Sequence, residues 1–341
     1  MFTSCANDGD TRNYHGFDVR SSGENLPASQ GVPDITEADG PDARQLLVRR
    51  PDAYADRWWQ SEDGLRLYAR DYPAVAGRVR LPVICLHGMT RNSADFDEVA
   101  PYIAAMERRV IVPDFRGRGL SENDPDASHY HLWAYARDVL SLCDALGIGQ
   151  AVFIGNSMGG LVTMVLSTLR ANLIRAAVLN DVGPALAPKG LARLSELADQ
   201  PQVAMRTWPE AAAVMAEQNG AHHPKFAEAD WLKFARRAYR KGRDGLLHLA
   251  YDPRITAAFK SLTVAIDHYD LMPCYASLAA ARPLLLIHGK LSDLLGEDEI
   301  AVMTAMSDHL TRADVSHVGH APLLTETQAR LALQDFLTSL A

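Results

Sequence analysis

The sequence predicts an α/β fold with a mostly parallel central sheet covered by helices on both faces. Three observations carry this. Short apolar β-branched runs alternate with helical stretches over most of the chain. Those runs are apolar throughout instead of alternating with polar residues, as strands buried on both faces require. A serine stands between glycines where one run, Ala151-Val152-Phe153-Ile154, gives way to a helical stretch, in Gly155-Asn156-Ser157-Met158-Gly159.

The elements follow in order. Residues 1–45 are rich in Gly, Asp, Ser, Asn and Pro and lack apolar periodicity. They are expected to form a flexible N-terminal extension, or a segment that orders only against the body or a partner chain. Arg57–Gln60 and Leu65–Arg70 flank Asp63-Gly64, a hairpin signal that adds antiparallel edge strands. Strands are then expected at Leu81–Leu86 and Val110–Val112, with a helix over Ala94–Met106 between them. A helix over Trp133–Leu146, closed by Gly147, leads to the strand Ala151–Ile154 and the helix after Ser157. Strands at Ile174–Leu179, Pro283–Ile287 and Arg312–Val315 and a helix over Thr325–Leu340 complete the body.

The alternation breaks between residues 184 and 273. Helical patterns at Leu191–Ala198, Pro209–Gln218 and Trp231–Tyr239 replace it, with no convincing strand. The predicted organisation is therefore an extension (1–45), a body (46–183 and 274–341) and a helical cap (184–273). Most of the cap's large side chains, Met205, Trp208, Met215, Trp231, Phe234, Tyr239, Tyr251 and Phe259, are expected to pack cap onto body, with one or two lining a cavity between them.

Composition narrows the class. The chain has 341 residues, 48% hydrophobic and 22% charged, with a net charge of −8, the balance of a globular protein. Scattered arginines among more numerous acids argue against nucleic acid as a partner. No apolar run reaches the ~18 residues that span a bilayer, so no membrane is expected. The N-terminus lacks a basic segment followed by an apolar core, which argues against a secretory signal. Cys5, Cys85, Cys143 and Cys274 are far apart and fit no metal spacing. A cytoplasmic protein without structural disulfides follows as the expectation.

The chemistry centres on Ser157. A sharp strand-to-helix turn holds the backbone of such a residue strained and lifts its hydroxyl out at a helix N-terminus, where free N–H groups and the dipole favour negative charge. An acyl-transfer intermediate needs fixed donors for its oxyanion. The amides of Met158, directly after the serine, and of Met89, in the loop His87-Gly88-Met89-Thr90 after an early strand, are the candidates. Gly88 lets that loop turn an amide inward, and His87 is read as a support of the loop and not as the base. The base is expected to be His320 in Val318-Gly319-His320-Ala321-Pro322, with His317 as its rival and Pro322 opening the final helix. The acid that orients it is expected to be Asp293, by its chain position, with Asp181 as the competitor; Glu297 and Asp298 fall in the next helix and face solvent. His222-His223 reads as part of a polar loop, because adjacent histidines are not a one-face metal pair. Gly117 and Gly119 lack the remainder of a phosphate loop.

From Arg57 to Leu340 the chain resembles an α/β-hydrolase of the cap-bearing branch that holds esterases, lactonases and carbon–carbon bond hydrolases. The matching pieces are His87-Gly88, Asp114-Phe115-Arg116-Gly117-Arg118-Gly119-Leu120-Ser121, Gly155 to Gly160, Gly289 to Asp293 and Gly319-His320. The order Ser…Asp…His is that of the same fold. The resemblance implies a Ser157–His320–Asp293 triad acting through an acyl-enzyme, without metal or organic cofactor. It gives the Asp114–Ser121 segment a structural role beside the elbow. Aspartate-nucleophile chemistry, as in epoxide hydrolases and dehalogenases, is disfavoured by the serine at 157. An apolar or aromatic small-molecule ester is the expected substrate, and a lactone or a vinylogous diketone the alternative. A non-catalytic ligand-binding protein on this fold is the remote alternative. The resemblance leaves oligomeric state open and does not reach the first 50 or so residues.

Overall fold

The computed structural model describes residues 53–75, 80–257 and 270–340. The expected N-terminal extension, Cys5 and Phe259 lie outside these residues. The strands in chain order are β1 (Ala55–Gln60), β2 (Arg66–Tyr72), β3 (Val83–Leu86), β4 (Val110–Asp114), β5 (Ala151–Asn156), β6 (Ile174–Asn180), β7 (Tyr239–Lys241), β8 (Leu247–Leu249), β9 (Leu284–Gly289) and β10 (Leu310–Val315). The helices are α1 (Val99–Ala104), α2 (Leu132–Ala145), α3 (Met158–Leu169), α4 (Pro188–Asp199), α5 (Trp208–Asn219), α6 (Glu228–Ala238), α7 (Met272–Ala279), α8 (Glu297–Ala305) and α9 (Thr327–Ser339).

Eight strands form one sheet in the order β1-β2-β4-β3-β5-β6-β9-β10. From β4 to β10 the pairings are parallel, and β2 is antiparallel to both of its neighbours. The strand order reverses around β3, so β5 sits centrally with open space beyond its C-terminal end, where α/β sheets place their ligands. The continuous apolar runs are explained by packing on both faces. Ile84, Leu86, Phe153, Leu179 and Leu286 point into one core with α2, α3, α7 and α8. Val83, Cys85, Val152, Ile154, Val178 and Ile287 point into the other with α1 and α9. Cys85, Cys143 and Cys274 are free and buried.

Two expectations about elements are corrected. The stretch Ala94–Met106 is a 3₁₀ turn, Ser93–Phe96, followed by the short α1. Pro101 lies within that segment, and a proline is tolerated only in a helix's first turn. The final helix starts at Thr327, so Pro322 does not open it; its carbonyl instead accepts a hydrogen bond from Asn180 Nδ2 at 2.7 Å.

The insertion between β6 and β9 carries α4, α5 and α6, together with a small antiparallel ribbon, β7–β8, that the sequence did not suggest. Three-residue strands are too short to show a periodicity. Thr207 Oγ1 accepts the Glu210 amide at the start of α5, and Asp230 caps α6 through the Ala227 amide at 3.0 Å. The insertion has its own core of Ala211, Ala212, Met215, Trp231, Phe234, Ala235 and Tyr239. Burying an aromatic of this kind contributes roughly 1.5–3 kcal/mol. No helix among the described residues is long and apolar enough to cross a membrane.

Candidate active site

Ser157 sits at the β5-to-α3 turn with φ +50° and ψ −117°. That conformation is strained for a residue with a side chain and is held from several sides. The Ser157 amide donates to Asn180 O at 3.0 Å, and Ser157 O accepts the Gly160 amide at 2.8 Å. The flanking glycines are required by contact. A Cβ on Gly155 would run into the Gly160 amide, and one on Gly159 into Leu86 O on the neighbouring strand. Strand and helix therefore close up only without side chains at 155 and 159.

His320 meets the serine. Its Nε2 lies 2.8 Å from Ser157 Oγ, and its Nδ1 lies 2.8 Å from Asp181 Oδ2. The His320 side chain is 8% exposed and Asp181 is fully buried. With a carboxylate at Nδ1, the neutral imidazole carries its proton there and leaves Nε2 as acceptor. His317, the rival, is exposed on a left-handed turn (φ +61°).

The carboxylate at His320 Nδ1 is that of Asp181, the competitor, and not that of Asp293, the expected acid. Asp293 makes no bond to His320; Arg193 of α4 grips it, Nε to Oδ2 at 2.6 Å and Nη2 to Oδ1 at 2.9 Å. Burial would raise the Asp293 pKa, but the Arg193 hydrogen bonds and charge outweigh it and hold the carboxyl below its usual range. The physical reason lies at the strand ends. Asp181 follows β6 directly, with φ +56°, and turns its carboxylate across the sheet top. There it also accepts the Gly289 amide at 2.9 Å and Ser292 Oγ at 2.6 Å. At the end of β9 it is Gly289 that abuts the His320 loop, since a Cβ there would lie 2.7 Å from Val318 O. Asp293, four residues on, has already turned toward α4.

The loop after β3 packs beside the elbow: a Cβ on Gly88 would lie 3.9 Å from Ser157 Cβ. His87 is wholly buried, with Nδ1 2.7 Å from Gly88 O and Nε2 accepting the Phe115 amide at 3.1 Å. Burial pushes its pKa down to about 3, so it is neutral and too far committed to act as a base. Arg118, from the Asp114–Ser121 segment, donates to Met89 O at 2.9 Å and lies over the Tyr135 ring. Asp114 holds the same segment, accepting the Ser93 and Leu120 amides at 2.6 and 2.8 Å. Glu297 and Asp298 lie on α8, with Glu297 paired to Arg312 at the surface.

A cavity of about 170 Å³ opens over Ser157 and His320. Met89 and Met158 line it, with Leu161, Val182, Leu186, Leu194 and Leu294 as apolar walls and Arg91, Arg193 and Asn219 as polar points. A second cavity of about 160 Å³ adjoins it and shares Met89, Thr90, Arg91, Leu194, Leu197, Asn219 and Phe234. Phe234 thus lines both, under the Arg91 guanidinium 4.1 Å from its centroid, while Met205, Met215, Tyr239 and Tyr251 line the second.

The His222-His223 pair lies in the turn between α5 and α6, as expected of a loop, but it does not face solvent. Both residues are buried, 5% and 4% exposed. His222 packs on the His320 loop, and His223 lines the cavity, stacked on Phe226, with its Nδ1 unpartnered. Burial, reinforced by His222, Arg91 and His320, pushes the His223 pKa down to about 4. The aromatic residues downstream, Phe226, Trp231 and Phe234, were the one sequence signal for this burial. Among the described residues, one group of metal-ligand type stands together, Asp63, Asp124 and His129. The Arg116 guanidinium already holds Asp63 and Asp124 at 2.7 and 2.6 Å, so that charge is compensated from within.

Comparison with known proteins completes the assignment. The alpha/beta hydrolase fold family matches residues 82–327. The chain belongs to the α/β-hydrolase family. A 3-hydroxybutyrate-oligomer hydrolase of Cupriavidus necator is 34% identical over 74% of this chain and 87% of its own length. A crystal structure of an α/β-hydrolase from Novosphingobium aromaticivorans is 37% identical, with a TM-score of 0.78 over 84% of this chain and 98% of that one. A 2-(acetamidomethylene)succinate hydrolase of Mesorhizobium japonicum is 25% identical over 70% of this chain and 81% of its own. This α/β-hydrolase is a hydrolytic enzyme.

Proposed function

We propose that the protein is a serine esterase that cleaves a carboxylic ester through an acyl-enzyme. The observation that carries the reading is the continuous line Ser157 Oγ, His320 Nε2, His320 Nδ1, Asp181 Oδ2, each contact 2.8 Å, opening into a cavity. Ser157 Oγ attacks the ester carbonyl while His320 Nε2 takes its proton. Asp181 keeps the imidazole in the required tautomer and stabilises the imidazolium. The amides of Met158 and Met89 receive the oxyanion, with His87 and Arg118 fixing the loop that carries Met89. His320 protonates the departing alcohol, then activates water to free the acid. Neither a metal nor an organic cofactor takes part in these steps.

For the substrate, the adjoining cavities favour a linear ester over a compact one. A chain could bind with its scissile carbonyl at Ser157 and its length along Leu194, Leu197 and Phe234. Short oligoesters of hydroxy acids fit that description and agree with the relative that hydrolyses 3-hydroxybutyrate oligomers. Lactone and carbon–carbon bond hydrolysis would use the same groups without using the second cavity.

The test is hydrolysis of p-nitrophenyl butyrate and of 3-hydroxybutyrate dimer and trimer by the native enzyme and by Ser157→Ala. The expected result is turnover of all three, with kcat/KM rising from dimer to trimer, and a loss of about 10³-fold or more in the variant. Equal, background-level rates in both proteins would overturn the esterase reading. A preference for lactones over every ester would overturn the choice of substrate.

A further inference from the structure

We infer that His222, supplied by the insertion between β6 and β9, is a positioning residue for His320. The inference rests on the reading of His320 as general base. His320 belongs to the body, and its ring is aligned by Asp181; what holds its backbone is a separate matter. Two successive amides of its loop face one residue of the insertion. The Gly319 amide donates to His222 O at 2.7 Å, and the His320 amide to His222 Nδ1 at 3.2 Å. The general base is thus hydrogen-bonded through its own N–H to another imidazole.

Three features suit His222 to this role. First, the contact is close. A Cβ on Gly319 would collide with the His222 ring, so the loop closes directly on the imidazole only with glycine at 319. Second, the ring is fixed in one tautomer. Accepting at Nδ1 leaves the proton on Nε2, which faces Asp293 Oδ2 at 3.9 Å. Asp293 is itself held by the two Arg193 bonds from α4, so the carboxylate expected to be the acid lies opposite a second histidine, beyond hydrogen-bond distance. Third, His222 is buried and its pKa lies below the ordinary histidine value, from burial first and then Arg193, with Asp293 opposing and His320 adding to the depression. It is therefore a neutral acceptor. The groups around it are Arg193, Asp293, His320, Asp181 and His223.

The other end of the loop is tied to the body, through Pro322 O and Asn180 Nδ2 at 2.7 Å. Replacing the His222 ring would leave the backbone bonds of Gly319 to His222 O and of the Leu291 amide to Val318 O, and would take away the one partner of the His320 amide itself. The Nε2-to-Oγ contact would then loosen, and displacements of about 1 Å at a reacting group cost on the order of 10²-fold in rate. Substrate contacts in the cavity walls would be untouched.

The experiment compares His222→Asn with His222→Leu. The two side chains are close in size, but only asparagine presents an acceptor near the place of Nδ1. Active sites are first titrated with a fluorophosphonate, so that kcat is expressed per competent serine. With p-nitrophenyl butyrate, His222→Leu is expected to lower kcat about 10- to 100-fold with KM changed less than about threefold, and His222→Asn to stay within about threefold of native. Should His222→Leu fail to fold, Gly319→Ala, which pushes the loop off the ring, is expected to give the same fall in kcat. Equal kcat per site in the Leu and Asn variants, or a native kcat in Gly319→Ala, overturns the inference. Ser157→Ala is run alongside. If it keeps native activity, the serine reading itself has failed; if it is inactive while His222→Leu is not, only the role of His222 has.

Discussion

Replacing Asp181 by asparagine should disable the enzyme, whereas the same change at Asp293 should mainly loosen it. Asp181 accepts three hydrogen bonds, from the Gly289 amide, Ser292 Oγ and His320 Nδ1. An asparagine with its oxygen in the place of Oδ1 still accepts the Gly289 amide, and its NH₂, in the place of Oδ2, faces both His320 Nδ1 and Ser292 Oγ, whose hydroxyl turns to accept. The NH₂ then donates to Nδ1. His320 is driven into the tautomer with its proton on Nε2, the atom 2.8 Å from Ser157 Oγ, and the base is lost. A wrong tautomer in an otherwise intact triad costs on the order of 10⁴-fold in kcat. That is about 5.5 kcal/mol at about 1.36 kcal/mol per tenfold change. Asp293→Asn removes the carboxylate charge from its pair with Arg193, whose side chains are 11% and 22% exposed. A partly buried pair of this kind is expected to cost about 1–2 kcal/mol of folding stability, between the surface and fully buried limits, and less than about tenfold in kcat. The assay is steady-state hydrolysis of p-nitrophenyl butyrate beside urea unfolding of each variant. A larger kcat loss at Asp293 than at Asp181 would refute the assignment of the acid.

Other outcomes follow from the same contacts. Gly155→Ala should fold poorly, because its methyl would enter the Gly160 amide; a fall of about 3 kcal/mol or more in unfolding free energy checks this, and an unchanged midpoint contradicts it. Arg118→Ala should lower kcat without a matching rise in KM, since the Met89 carbonyl loses its tether and the loop its fixed shape; a pure KM effect would place Arg118 in substrate binding instead. Acid should unfold the protein in part through His87, whose folded pKa of about 3 lies below the unfolded value of about 6.5. The unfolded chain alone takes up that proton, so the contribution is intact above pH ~6.5 and is lost as pH falls toward 3, at up to about 1.4 kcal/mol per pH unit. His87→Gln should flatten the urea-stability slope across that window, and an unchanged slope would mean that His87 does not titrate on unfolding.

What could be read from the sequence divides by the range of the interaction. The parallel strands were legible because strands covered on both faces must be apolar throughout. The elbow was legible because its geometry forbids side chains at 155 and 159, and both constraints act within a few residues. The choice of acid was a different problem. Asp181 and Asp293 both satisfy the order Ser…Asp…His and both follow strands. What separates them is the direction of one turn, which returns Asp181 across the sheet top and carries Asp293 toward Arg193, 100 positions away in the chain. His222 was read only as part of a loop for the same reason: its contact with His320 spans 98 positions, and polar neighbours in sequence say nothing of that. These two contacts are linked. Asp293, which makes no bond to His320, faces His222, whose ring accepts the amide of the same His320 that Asp181 bonds at Nδ1. The insertion therefore does more than roof the cavity: His320, whose Nε2 lies 2.8 Å from Ser157 Oγ, takes its ring orientation from the body and part of its backbone support from the insertion. A substitution that reshapes the cavity through α4 or the turn after α5 should consequently change kcat along with substrate preference.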